Sequence, residues 1–315
     1  MTILVTGGLG YIGSHTVVEL LQNNFEVVII DDLSNTEKFI LKNIEEISGK
    51  KPIFYPFDLK RKELLKQVFD AHKIEGCIHF AAYKAVGESQ VKPIDYYENN
   101  LFSLINLLQE MKERNISNFI FSSSCTVYGQ ADTMPIDENT PLKLPESSYG
   151  KTKQMGEEIL KDFATAHQKK VTLLRYFNPI GAHPSAKLGE LPIGIPNNLV
   201  PYVMQTAAGV REKLSVWGND YPTEDGTAIR DYIYVVDLAK AHVKALQKLL
   251  KMSSDTQIDI YNLGTGKGSS VLEVVHAFEK ANDVAVPYQI CERRAGDITI
   301  AYANADKAEK ELAWK

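Results

Sequence analysis

The chain has 315 residues, of which 44 % are hydrophobic and 24 % charged, with a formal net charge of −5. That length suffices for one large or two modest domains with a substantial core. The mild acidity argues against nucleic acid or an anionic membrane as the main partner. Three widely spaced cysteines, Cys77, Cys125 and Cys291, form no Cys-x-x-Cys motif. They suit a reducing compartment better than a disulfide framework, and no metal site is expected. The opening MTILVTGG carries no signal-peptide pattern, and no apolar run reaches the length of a membrane span. A cytoplasmic location is the expectation.

In chain order, ILVT (3–6), EVVII (26–30), PIFYPF (52–57), GCIHFAA (76–82), NFIFSSS (118–124) and VTLLRYF (171–177) read as strands. Amphipathic stretches such as 94–114 and 149–168 lie between them. Near-continuous apolar strands alternating with helices predict a doubly wound, Rossmann-like α/β fold with a parallel sheet covered on both faces. After residue 177 the texture changes. NPIGAHPSAKLGELPIGIPNN (178–198) reads as a long functional loop. A helix-like run from Leu199, a strand LSVW (214–217), a loop, a strand–helix unit over 229–251 and a final strand, helix and loop follow. This predicts a smaller, interleaved α/β substrate domain. The boundaries expected are 1–177 plus 229–260 for the cofactor domain and 178–228 plus 261–315 for the substrate domain.

The first strand runs into GGLGYIGSH. Gly7, Gly10 and Gly13 fit G-x-x-G-x-x-G, between a strand and a helix. Glycines there let the backbone approach a pyrophosphate, which sits at the positive helix N-terminus. Asp31 ends the second strand, 18 residues after Gly13, and Asp32 follows it. A carboxylate at that place accepts hydrogen bonds from ribose hydroxyls and repels a 2′-phosphate, so NAD is favoured over NADP. Asp58 ends the third strand, where it could meet an adenine amino group or merely cap the next helix.

Ser124 and Thr126 emerge from the strand NFIFSSS. Tyr149 and Lys153 share a helix face four residues apart in SSYGKTKQ. In a chain with 15 tyrosines such spacing can arise by chance. Beside a nicotinamide it has chemical meaning, because an adjacent ammonium and a cationic ring both favour phenolate over phenol. A serine hydroxyl could hold the substrate oxygen in line.

With these residues placed, the chain resembles the extended short-chain dehydrogenase/reductase superfamily, and within it the UDP-glucose 4-epimerase (UDP-galactose 4-epimerase) family. The resemblance rests on GGLGYIG, Ser124 and Tyr149-x-x-x-Lys153. It rests also on HFAAYKAVGES, YYENN, SSSCTVYG, LRYFNPIGAHPS, GIPNNLVPY, GNDYPTEDGTAIRDYI, YNLGTGKGSSVLEVV and RRAGD. It implies an NAD site formed by Tyr11, Ile12, Asp31, Asn35, Asp58, Leu59, Phe80, Ala81, Lys84, Asn99, Tyr176 and Phe177. It implies Tyr149 as base, Lys153 as the partner that lowers its pKa and binds ribose, and Ser124 as partner of the sugar oxygen. The UDP-hexose would be held by Asn178, Asn198, Leu199, Trp217, Arg230, Arg294 and Asp297. Arginines suit bidentate grip of a pyrophosphate, although arginines are commonly surface charges.

The implied activity is reversible C4 epimerisation of UDP-glucose and UDP-galactose through a 4-keto intermediate. A dehydratase, an ordinary dehydrogenase and a non-enzymatic NAD-sensing module are the alternatives. Related dehydratases carry Asp-Glu after the threonine of the strand-end loop; the matching segment here is Ser124-Cys125-Thr126. A sensing module would lose Tyr149 or Lys153. Ala301 matches the family's sugar-pocket gatekeeper, and its small side chain leaves room for an acetamido group, which extends the expectation to UDP-GlcNAc and UDP-GalNAc. The resemblance also implies a homodimer through the helices near 94–114 and 149–168. Leu101, Leu104, Ile105 and Leu108 would suit that face, or equally packing on the sheet.

Overall fold

The computed structural model describes residues 1–253, 255–294 and 297–314. Seven strands form one parallel sheet: Thr2–Thr6, Glu26–Ile30, Ile53–Tyr55, Ile74–His79, Asn118–Ser122, Lys170–Tyr176 and Gln257–Leu263. The chain runs outward from the first strand through the second to the third. It then returns to the first strand's other side and continues through the fourth, fifth and sixth to the last. Thr2–Thr6 therefore lies at the point where the winding reverses, and ligands of such sheets bind beyond the strand ends there.

Alternation along each strand feeds two cores. Ile3, Val5, Val27, Ile29, Ile78, Ile120 and Leu174 belong to one, under helices Tyr11–Gln22, Phe39–Ser48 and Val235–Lys251. Leu4, Val28, Ile30, Cys77, Phe119, Phe121, Val171 and Leu173 belong to the other. Helices Lys62–Ala71, Ser103–Glu113 and Ser148–His167 cover that second face. Both faces are dry, and so the strand sequences read as nearly unbroken apolar runs.

The expected helix over 94–114 comprises Pro93–Tyr97, a π-helical turn Glu98–Phe102 and Ser103–Glu113. The wider turn carries two buried asparagines, Asn99 and Asn100. Leu104 and Leu108 point into the sheet-facing core, whereas Ile105 and Phe102 are exposed.

The pairing differs from the expected domain boundaries at two places. Ile229–Tyr234 joins the smaller sheet, bonded to Asn178–Ile180, Gly268–Ser270 and Ile300–Ala301. Gln257–Leu263 pairs along its full length with Lys170–Tyr176, carrying the large sheet three residues past the expected break at 260. Tyr261 and Leu263 are buried in the same core as Leu312 and Trp314, which makes those last three residues worth keeping on the sheet. Helices Leu199–Ala207 and Val271–Asn282, with the parallel pair Leu214–Trp217 and Tyr288–Cys291, enclose a separate core of Val203, Leu214, Val216, Val275 and Val286.

One carboxylate holds the smaller sheet to its surroundings. Asp231 is fully buried and accepts from Thr265 N at 2.8 Å, Thr265 Oγ1 at 2.7 Å, Gly266 N at 3.1 Å and Ala303 N at 3.1 Å. Asp231→Ala would orphan these buried donors. A loss of about 3–5 kcal/mol in unfolding free energy by urea titration is expected; a loss below about 1 kcal/mol would show that water replaces the carboxylate.

Candidate active site

Gly7 leaves the first strand at φ +68°, and a Cβ there would lie 2.7 Å from Ala81 N. Gly10 N donates to Gly7 O at 3.2 Å and caps the helix Tyr11–Gln22. A Cβ on Gly13 would sit 2.2 Å from Gly7 O, so the helix touches the strand end only because that residue is glycine. A Cβ on Gly10 would meet only Gly7 O, at 3.3 Å, which leaves its outer side open. Among the described residues, no side chain caps this helix and no acid lies in its first turn. Its amides thus face that opening as donors, a cradle suited to a pyrophosphate.

Asp31 is buried one strand over. Its carboxylate accepts from Leu9 N and Leu33 N, each at 3.0 Å, which ties the glycine loop to the turn after the second strand. Burial raises its pKa, and the backbone donors oppose the rise. Asp32 accepts from Ser34 N at 2.9 Å, within a turn that leads to exposed Asn35. Asp58 accepts from Lys60 N at 2.8 Å beside buried Leu59, so it caps its turn. Phe80 packs on His242 with ring centroids 4.7 Å apart. Tyr11 OH donates to Gly181 O at 2.6 Å, bridging the glycine helix to the loop that follows Ile180.

Three consecutive serines at the end of Asn118–Ser122 meet the helix Ser148–His167. Lys153 Nζ donates to Ser122 O at 2.7 Å. Ser123 Oγ donates to Glu157 Oε1 at 2.6 Å. The Ser124 hydroxyl lies beside Tyr149, and its Oγ accepts from Thr126 N at 3.2 Å. Tyr149, Lys153 and Ser124 are all buried. Burial, then Tyr176, pushes the Tyr149 phenol well above its ordinary pKa, and the Ser124 hydroxyl opposes this. Burial lowers Lys153 to about 7, opposed by Glu157. The ammonium points at the Ser122 carbonyl and lies 5.9 Å from the phenol ring centroid.

Tyr176 OH accepts from Ser122 Oγ at 3.1 Å, and Phe177 is buried with Val127, Tyr128, Ala301 and Ala303. Ala301 therefore sits in one apolar cluster with the turn that follows Ser124. Asn178 opens the strand paired with Tyr232. Arg230 donates to Ile229 O at 2.8 Å and pairs with Asp297, which also meets Arg294 at 3.4 Å. Arg294 stands 6.0 Å over the half-exposed Trp217 ring. Asn198, at the start of the helix from Leu199, donates to Glu190 Oε1 at 2.6 Å, and Lys84 donates to the same oxygen at 3.1 Å.

Asn99 donates to Asn100 at 3.2 Å, and Asn100 donates to Thr152 Oγ1 at 2.9 Å. Sequence reasoning passed over Glu190, Glu157 and Arg175. Only Glu157 was visible in outline, four residues beyond Lys153 on the same face.

A parallel sheet with an open glycine cradle at its switch point, and a Tyr–Lys pair facing a strand-end serine, defines a nucleotide-dependent redox enzyme of the short-chain type. The model of the NAD dependent epimerase/dehydratase family matches residues 3–264, and the chain belongs to that family. It is 54 % identical to the UDP-glucose 4-epimerase of Bacillus subtilis (strain 168), over all of this chain and 92 % of the relative. A crystal structure of UDP-glucose 4-epimerase from Bifidobacterium longum in complex with NAD+ and UDP superposes with a TM-score of 0.96. It is 48 % identical, covering all of this chain and 93 % of the other. The UDP-Glc/GlcNAc 4-epimerase from Campylobacter jejuni superposes with a TM-score of 0.85 at 36 % identity, covering all of this chain and 93 % of the other.

Proposed function

We propose that this chain is an NAD-dependent UDP-glucose 4-epimerase, interconverting UDP-glucose and UDP-galactose through a 4-keto sugar. The observation that carries the reading is the juxtaposition of Ser124, Tyr149 and Lys153 at the sheet end beside the open glycine cradle. The dehydratase reading lacks a carboxylate pair, because Cys125 and Thr126 occupy the strand-end positions.

The cradle of Gly7, Gly10, Tyr11, Ile12 and Gly13 would hold the pyrophosphate of NAD. Asp31, Asp32 and Asn35 would meet a ribose, and Asp58 and Leu59 the adenine. Phe80, Ala81, Lys84, Asn99, Tyr176 and Phe177 would line the nicotinamide half. When bound, NAD supplies reversible hydride acceptance and a cationic ring. That cation is the charge able to bring a buried phenol into the range of a base.

Ser124 holds O4 of the hexose, and Tyr149 takes its proton while C4 gives up its hydrogen. Asn178, Asn198, Leu199, Trp217, Arg230, Arg294 and Asp297 keep the UDP part anchored as the planar keto sugar turns over. Tyr149 then returns the proton to O4 once hydrogen has been restored to the opposite face of C4. Asp297 pairs with both Arg230 and Arg294, whose guanidiniums would grip the pyrophosphate of the UDP part. Residues 1–177 with 229–260 serve the cofactor, and 178–228 with 261–315 the nucleotide sugar.

Purified protein given UDP-galactose without added NAD is expected to form UDP-glucose. Accumulating NADH without epimer would indicate a dehydrogenase instead, and a 4-keto-6-deoxy sugar a dehydratase.

Ala301 packs in the cluster with Phe177 and Val127, and its single methyl group in place of a bulky ring supports acceptance of UDP-GlcNAc and UDP-GalNAc as well. Ala301→Tyr is expected to lower UDP-GalNAc turnover about tenfold or more while sparing UDP-galactose, from the steric cost of overpacking. Undetectable UDP-GalNAc turnover by the unaltered protein would remove the idea.

A homodimer is proposed on the face carrying exposed Phe102, Ile105 and Met155, around a groove lined by Leu101, Leu142 and Ile159. Sedimentation at micromolar concentration should give twice the monomer mass. The proposed location is the cytoplasm; among the described residues, no helix is long and apolar enough to cross a membrane.

A further inference from the structure

We propose that Glu157 is a positioning residue for the reaction proposed above: anchored by Arg175 and Ser123, it pins the helix to the strand end one turn beyond Lys153 and sets the charge that the Tyr149–Lys153 pair experiences. The inference rests on the epimerase reading. Tyr149, Lys153 and Glu157 are spaced i, i+4 and i+8 on one helix; Lys153 bonds Ser122, Glu157 bonds Ser123, and Tyr149 stands beside Ser124. The strand end and the helix are thus joined at two successive points, and the Tyr–Lys pair is two members of a row of three.

The third member is the most deeply anchored. Glu157 is wholly buried, and so is Arg175, which donates from Nε to Oε1 at 2.9 Å and from Nη2 to Oε2 at 2.5 Å. Arg175 Nη1 also donates to Tyr128 OH at 3.0 Å, and Tyr128 OH donates to Asn262 Oδ1 at 2.7 Å. Every carboxylate oxygen is used. A buried ion pair of this kind is weak evidence for stability, because desolvation offsets much of its Coulomb gain. Its position is better explained by what stands beside it.

Lys153 is a buried ammonium that donates to a carbonyl, and the carboxylate one turn along favours its charged form. The other groups facing the row are few. His79, from Ile74–His79, is held neutral by burial and by Lys153, its pKa lowered to about 3. The Phe121 ring lies 4.8 Å below Lys153 Nζ. Tyr176, Cys125 and Tyr96 act on Tyr149, and all three raise its pKa. Glu157 is the carboxylate that acts on Lys153, and Arg175 is its ion-pair partner.

The sign follows. Removing the carboxylate leaves Lys153 less readily charged, so Tyr149 deprotonates at a higher pH. The test uses NAD-loaded enzyme, the wild type beside Glu157→Gln and Glu157→Gln/Arg175→Met. Phenolate absorbance near 295 nm is titrated against pH, with Tyr149→Phe in each background as the blank, and Tm is recorded in parallel. The single variant should move the phenolate midpoint upward by about one pH unit, the scale of a lost neighbouring charge. The double variant should move it in the same direction by less, because Arg175 no longer adds its own positive charge, and should recover Tm. An unmoved or lowered midpoint in the double variant would overturn the proposal. So would failure of the double variant to fold, which would make the cluster a requirement of the fold alone. Because the phenolate is read directly, these outcomes are separate from whether wild-type enzyme epimerises UDP-galactose, on which the functional reading stands.

Discussion

Replacing Tyr149 with phenylalanine is expected to lower turnover of UDP-galactose by about 10²–10⁴-fold, the contribution of a positioned acid–base group. The ring fills a buried site next to Lys153 and Phe121, and phenylalanine keeps that packing. What is lost is the hydroxyl beside Ser124. The cost to folding should be about 1 kcal/mol, that of one hydrogen bond, and NAD should remain bound. A fall in kcat with little change in KM would separate this chemistry from lost binding. Wild-type-like turnover would refute the assigned base.

The second large effect is expected at Gly7. Valine there would have to adopt φ near +68°, a backbone region that costs a β-branched residue about 1–3 kcal/mol. Its Cβ would also stand 2.7 Å from Ala81 N and 2.9 Å from Ala81 Cα, both backbone atoms that cannot swing away. The loop must shift, and with it the Gly7 carbonyl that receives Gly10 N and touches Gly13. The helix amides then lose their alignment on the pyrophosphate. NAD affinity should fall about 10–100-fold, tenfold for each 1.4 kcal/mol of misplacement. Heat-released NAD measured against protein would report it, and full occupancy in the variant would contradict the cradle.

The large sheet was legible because both of its faces are buried. Runs such as EVVII and NFIFS cannot be amphipathic helices and cannot be exposed strands. The glycine turn was legible because its three glycines answer to separate steric demands in one short loop. The smaller sheet was less so. Its strands are two to six residues long, and Ile229–Tyr234 draws partners from residues 178–180, 268–270 and 300–301. Nothing in IRDYIY names those partners. Asp231 reads as one charge among many until Thr265, Gly266 and Ala303 converge on it.

The Tyr149–Lys153 pair was readable from helix periodicity. Its setting was not. That Lys153 would be committed to the Ser122 carbonyl, and that burial would raise Tyr149, depend on how closely strand end and helix approach. Gly156 shows how tight that approach is: a Cβ there would come within 2.9 Å of the Phe121 ring.

The central claim is that hydrogen leaves C4 of the hexose and returns to the same carbon from the other side without entering solvent. UDP-galactose deuterated at C4 tests it most directly. Incubated in ordinary water and analysed as UDP-glucose, it should retain the deuterium at C4. Loss of the label to solvent would mean proton exchange at carbon rather than a retained hydride, and would contradict the account.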